Sequence, residues 1–165
     1  MKKLTRIARF KIRFLDHFIN DTPLGCRLRG MLYEPYLRRC GKNFRIAKGA
    51  HINSPYLLSV GDNVYISFYC YLGKGTINLD DEVLIGNHVS ITPSNHLRLN
   101  NSYRWSNSQD KGVTIGKGSW IGAHSCLLAG TKIGNGCVVV AGSLVTRIIK
   151  GNNKMIINNK AEMSY

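Results

Sequence analysis

The chain has 165 residues, enough for one domain with an appendage and a real buried core. Its 44% apolar content excludes a wholly disordered polymer, and no apolar run reaches the length of a membrane-spanning helix. Lys and Arg number 23 against nine acids, a net charge of +14, which favours polyanionic partners such as membrane surfaces, nucleic acid or phosphorylated ligands.

That charge is concentrated at the front. Residues 1–48 hold 13 Lys/Arg and three acids, a net of +10. Within them, "LTRIARFKIRFLDHFIN" spaces Leu4, Ile7, Ala8, Phe14, Leu15 and Phe18 by three and four, with basic residues mostly opposite. The spacing predicts an amphipathic helix, although Phe10 and Ile12 blur its stripe. Two placements stay open: a helix packed on its own domain or a neighbouring subunit, or one lying peripherally on an anionic membrane, on the cytoplasmic face. The start alternates charged with apolar residues, which argues against a signal peptide. "DTPLG" reads as a turn, or as the capped start of a second helix through "CRLRGMLYEPYLRRCG". Five cysteines, odd in number and without a C-x-x-C pair, argue for buried reduced thiols in a cytoplasmic setting.

From residue 113 the chain divides every six residues, each block opening on an aliphatic: Ile115, Ile121, Leu127, Ile133, Val139 and Val145. Leu79, Ile85 and Ile91 keep the same step, as do Val60, Ile66 and Leu72, and Ile46 with Ile52. Neither a helix nor an alternating strand has this period. Short flat strands joined by tight corners do, when they coil into a prism whose turns hydrogen-bond at about 4.8 Å. The opening aliphatic points inward and the next residue, often Gly, makes the corner. The fifth (Val64, Val83, Val89, Ser119, Ser125, Thr131, Cys137, Ser143) also turns in. Three faces of six make a coil of about 18 residues, a β-helix.

This pattern resembles the hexapeptide-repeat acyltransferases, and most closely their galactoside, maltose and polysaccharide O-acetyltransferase branch. Beyond the repeat, three features carry the likeness: a histidine followed by a loop, "VTIGKGSWIG" resuming after it, and "VVAGSLVT" near the end. The resemblance implies an all-β fold, a left-handed parallel β-helix over 44–160, preceded by a basic helical segment at 1–43 and followed by a tail at 161–165. The terminal "INNKAEM" departs from that branch's usual Gly-Asn-Pro-Ala-Lys type ending.

The resemblance also implies acetyl-CoA as co-substrate, a saccharide hydroxyl as acceptor, and a homotrimer with active sites between subunits. No metal and no nucleic acid are expected. The repeat breaks at "NHLRLNNSYRWSNSQDKG", so a loop at 97–112 is expected to leave the prism with His96 at its foot. His96 matches the branch's catalytic histidine, and an imidazole titrating near neutrality suits a general base that deprotonates an attacking hydroxyl. One coil back, Asn78, Asp80 and Asp81 are candidates to orient the imidazole or hold a sugar hydroxyl, or are acidic turn residues in solvent. Ser67 stands nearest to an acceptor-binding asparagine of galactoside-type relatives. Tyr69 and Tyr71 suit stacking on a sugar ring or packing between subunits, and Trp120 lines the implied cleft close to acceptor and pantetheine. Ala123, Ala141, Gly142 and Thr146 correspond to the pantetheine groove, with Arg147 and Lys150 set for the CoA phosphates. The acceptor is left open between a surface polysaccharide unit and a soluble sugar, amino sugar or drug. Two further classes are a non-catalytic β-helix scaffold and a γ-type carbonic anhydrase, whose histidine spacing is not reproduced; His51, His88 and His124 are instead expected at turns.

Overall fold

The computed structural model describes residues 5–158 and 160–164, without the side chains of Arg9, Arg13 and 160–164. Leu4 of the expected stripe lies outside the described residues. Helix α1 (Arg6–Phe18) opens on Thr5, whose hydroxyl accepts the Ala8 amide at 3.2 Å. Helix α2 (Pro23–Tyr33) opens on Thr22, which accepts the Gly25 amide at 3.1 Å, with Pro23 at the first helical position. "DTPLG" is therefore a helix start. The second helix ends at Tyr33, well short of Gly41, because Pro35 cannot continue it; a 3₁₀ turn (Glu34–Tyr36) and the first strand (Arg39–Cys40) follow.

One buried cation ties the helices together. Arg29, 3% exposed, donates to Asp16 Oδ1, to Asp21 Oδ1 at 2.7 Å and to the Ile19 carbonyl at 2.6 Å. Asp21 Oδ1 also accepts the Lys48 amide at 3.0 Å, so the same cluster fastens both helices to the first coil. A cavity of 270 Å³ lies beneath them, lined by Ile12, Asp16, Arg29, Tyr33, Ile46 and His51.

The remainder is a parallel β-helix of three faces. The first face stacks Arg39–Cys40, Leu58–Val60, Ile77–Leu79, Val113–Ile115 and Lys132–Ile133. The second stacks Arg45–Ile46, Tyr65–Ile66, Leu84–Ile85, Trp120–Ile121, Val138–Val139 and Lys154–Ile157, closed by an antiparallel strand, Lys160–Ser164. The third stacks His51–Ile52, Tyr71–Leu72, Ser90–Thr92, Cys126–Leu128 and Leu144–Val145.

The core follows the six-residue register. Ile46, Ile66, Ile85, Ile121 and Val139 pair in one column, each at most 1% exposed. The fifth positions are equally buried, from Val64 at 0% to Ser143 at 3%. Buried hydroxyls are satisfied by the next coil: Ser119 Oγ donates to the Gly134 carbonyl at 2.7 Å and Thr131 Oγ1 to that of Val145 at 3.0 Å.

Two details of the sequence reading change. The corner's left-handed residue is the fourth of each block, not the glycine after the aliphatic: Asn63, Tyr69, Glu82, His88 and His124 all have φ between 54° and 59°. The second-position glycine is needed because adjacent coils touch there; a Cβ on Gly134 would stand 2.1 Å from the Gly151 carbonyl. The coil is also not uniformly 18 residues. Arg45 pairs with Tyr65 and Tyr65 with Leu84, spacings of 20 and 19, before Trp120 pairs with Val138 at 18.

Candidate active site

The rhythm breaks at Pro93, at the corner between the third and first faces. Ser94–His96 and Ser108–Asp110 form an antiparallel ribbon, with His96 opposite Ser108. The expected loop is thus a β-hairpin that begins before His96. Its root is anchored twice to the coil below. Ser94 Oγ donates to the Lys74 carbonyl at 2.7 Å, and Asp110 Oδ2 accepts Thr76 N at 2.9 Å and Thr76 Oγ1 at 2.7 Å. Asp110 Oδ1 also accepts Gly112 N at 2.9 Å. His96 is exposed on this ribbon, and Trp105 near the tip, 79% exposed, lies beneath the Arg104 guanidinium at 4.9 Å.

The structure separates the other candidates by corner. Asn78 is on the first face beside the hairpin root, in a groove shared with Asp110, Lys111 and Thr114. Asp80 and Asp81 lie at the next corner, between the first and second faces, and not beneath His96. There Asp81 Oδ1 accepts the Asp62 amide at 2.9 Å, as Asp62 Oδ1 accepts the Lys42 amide at 2.7 Å. Asn135 and Asn152 continue this series of side-chain acceptors above them, at 3.1 and 2.9 Å. Asp80 Oδ1 accepts the Asp81 amide at 2.9 Å. Counting one coil back from His96 misplaced both acids, because His96 stands on the hairpin and outside the coil register.

The remaining corner, between the second and third faces, gathers Ser67, Tyr69, Ala123, Ala141 and Gly142. Gly142 N donates to the Ala123 carbonyl at 2.8 Å, so Ala123 and the Ala141–Gly142 pair belong to successive coils. Trp120, 49% exposed, borders this corner from the second face. Thr146 and Arg147 follow the strand Leu144–Val145, across the third face, at the hairpin's own corner. Ile148 then pairs with Lys132 on the first face, so Lys150 stands past that face, toward the first-to-second corner. Tyr71 is on the third face, stacked on His51 at 5.7 Å; His51 is therefore in a strand and not at a turn.

Residues 112–147 match the family model for the bacterial transferase hexapeptide (six repeats). That stretch of the chain carries the hexapeptide repeat. The chain is 29% identical over 114 residues to galactoside O-acetyltransferase of Escherichia coli (strain K12), covering 65% of this chain and 56% of that one. Identity is also 29% over 124 residues to a candidate lipopolysaccharide biosynthesis O-acetyl transferase, WbbJ, of the same strain, covering 68% and 63%. The chain thus spans under two thirds of the length of the curated relatives it matches. A galactoside acetyltransferase solved in complex with coenzyme A shares its fold, with a TM-score of 0.78, 23% identity, and coverage of 98% of this chain and 82% of that one.

His96 and Trp120 occupy opposite sides of the prism, since the second face lies opposite the corner that carries the hairpin. No single copy brings them together. The sequence reading missed a column of rings at the second-to-third corner. Tyr69 stacks on His88 at 5.3 Å and 16°, and His88 on His124 at 4.8 Å and 6°. The left-handed fourth position aims each ring outward from successive coils, and their alignment follows from the coil register. Above His124 the column opens at Gly142, where a Cβ would meet nothing within 4 Å. Asp110 and Arg29 were also missed as anchors, because their partners lie 34 and up to 13 residues away. Among the described residues no group of three or more His, Cys, Asp or Glu is arranged to hold a metal ion.

Proposed function

We propose that the chain is an acetyl-CoA-dependent O-acetyltransferase that works as a homotrimer, with each active site formed by the hairpin corner of one subunit and the Trp120 edge of the next. The observation that carries this reading is the division of labour. A firmly rooted ribbon exposes one imidazole, while the small residues suited to a pantetheine arm line a different edge with Trp120. The edge fits the extended arm: Ala123 and Ala141 are small and position 142 is open. Arg147, at the hairpin's corner, supplies a cation for the CoA phosphates.

The chemistry needs one proton carrier. His96 takes the proton from an acceptor hydroxyl as its oxygen attacks the thioester carbonyl. The tetrahedral adduct then collapses, the C–S bond breaks, and the imidazolium returns its proton to the CoA thiolate. No covalent enzyme intermediate forms. The preferred acceptor is a sugar of a surface polysaccharide unit, supported by the similarity to the candidate lipopolysaccharide enzyme. A soluble glycoside is the second reading, supported by the galactoside relative.

The test is CoA release across activated sugars, oligosaccharide units and lipid-linked acceptors. His96→Ala should lose about 10²–10⁴-fold in turnover with its assembly intact. Co-expressed His96→Ala and Trp120→Ala chains should regain activity in mixed trimers. Full turnover by His96→Ala, or no gain on mixing, overturns the base or the shared site respectively.

A further inference from the structure

Helix α1 packs by the residue that blurred its sequence stripe. Ile12, 7% exposed, is its inward contact, with Ala8 and Asp16 one turn to either side. The helix's only acid, Asp16, is thereby turned in toward Arg29. On the opposite face Phe10, Phe14 and Phe18 form a column at four-residue spacing, with ring centroids 6.2 and 5.1 Å apart and exposures of 70%, 55% and 67%. Ile7, 69% exposed, widens it. Helical geometry sets Arg6 and His17 along one margin of this column and Lys11 along the other. Helix α2 exposes a second apolar row, Leu24, Leu28 and Met31, beside the exposed Arg27.

These helices leave a large apolar surface in water, edged by Arg6, Lys11 and Arg27. Asp16 and Asp21 are taken by Arg29, and the exposed Glu34 stands past the end of α2, beyond Met31. An exposed patch of this kind is an interaction site. A second copy is a poor occupant, because it brings the same excess of positive charge from the same residues. A bilayer with anionic headgroups satisfies both features, as apolar rings enter the acyl boundary and basic side chains stay among the phosphates. Among the described residues no helix is long and apolar enough to cross a membrane, so the platform lies on the surface. We infer that α1, assisted by the exposed row of α2, is an anionic-membrane docking platform.

This inference stands independently of acyl transfer and is tested without it. The full-length protein is sedimented with phosphatidylcholine vesicles, with or without phosphatidylglycerol, and its assembled mass is measured by light scattering. The protein should bind the anionic vesicles and be released by salt. The F10S/F14S/F18S variant and, separately, the R6E/K11E variant should each bind at least about tenfold more weakly at unchanged assembled mass. His96→Ala should bind like the parent, so a failure of the acyl-transfer reading leaves this result untouched. Absent binding, equal binding to neutral vesicles, or a fall in assembled mass on replacing the phenylalanines would overturn the platform; the last would make the stripe a contact between subunits.

Discussion

Asp110 offers the sharpest check on how the fold serves the site. Asp110→Ala removes three hydrogen bonds at the root of the hairpin, two to Thr76 and one to Gly112, while touching nothing inside the prism. Such bonds contribute about 0.5–1.5 kcal/mol each, toward the lower end at an exposed root, so the anchor is worth about 2 kcal/mol. That corresponds to roughly 30-fold more frequent opening of the ribbon. Hydrogen exchange measures it: the Leu97, Leu99 and Ser102 amides, bonded within the hairpin at 2.9 Å, should exchange about 30-fold faster. Protection of Ile121 and Val139 in the core should stay unchanged. Under the proposed acyl-transfer function, turnover should also fall, because the proposed base His96 rides on the ribbon. Unchanged hairpin protection, or an equal loss throughout the core, would refute the idea of a local anchor.

Arg29→Ala leaves two carboxylates without their cation and should cost about 3 kcal/mol in urea unfolding, with protease cleavage near 19–22 preceding loss of the β-helix. Stability equal to the parent would show that the cluster is incidental. Burial raises the thiols of Cys40 and Cys70 to about 11, and Cys70 Sγ also donates to the Gly86 carbonyl at 3.0 Å. Both should resist iodoacetamide at pH 8 in the folded protein and label once it unfolds. Because folding holds these protons, the stability tied to them is present below about pH 9 and lost as pH rises through 11. Labelling of both at pH 8 before unfolding would contradict the burial.

The prism was legible residue by residue because its constraints are local and repeated. An aliphatic every sixth residue and a small or β-branched residue four later can be buried together only by coiling, and each of those positions is buried. The candidate site could be read only as a motif, His96 before an insertion and Trp120 after it, and not as an arrangement. Which corner a residue occupies depends on the length of every coil below it, and these are 20 and 19 residues before the hairpin and 18 after it. Hence Asp80 and Asp81 fell on the wrong corner, and the Tyr69–His88–His124 column could not be foreseen. The N-terminal helix makes the same point. Its amphipathicity is written in the spacing of its residues, but which side faces inward was decided by a contact between Arg29 and Asp16, 13 residues apart. Local periodicity specifies what a segment can bury; only the closing of long-range contacts decides against what, and which face is left for a partner.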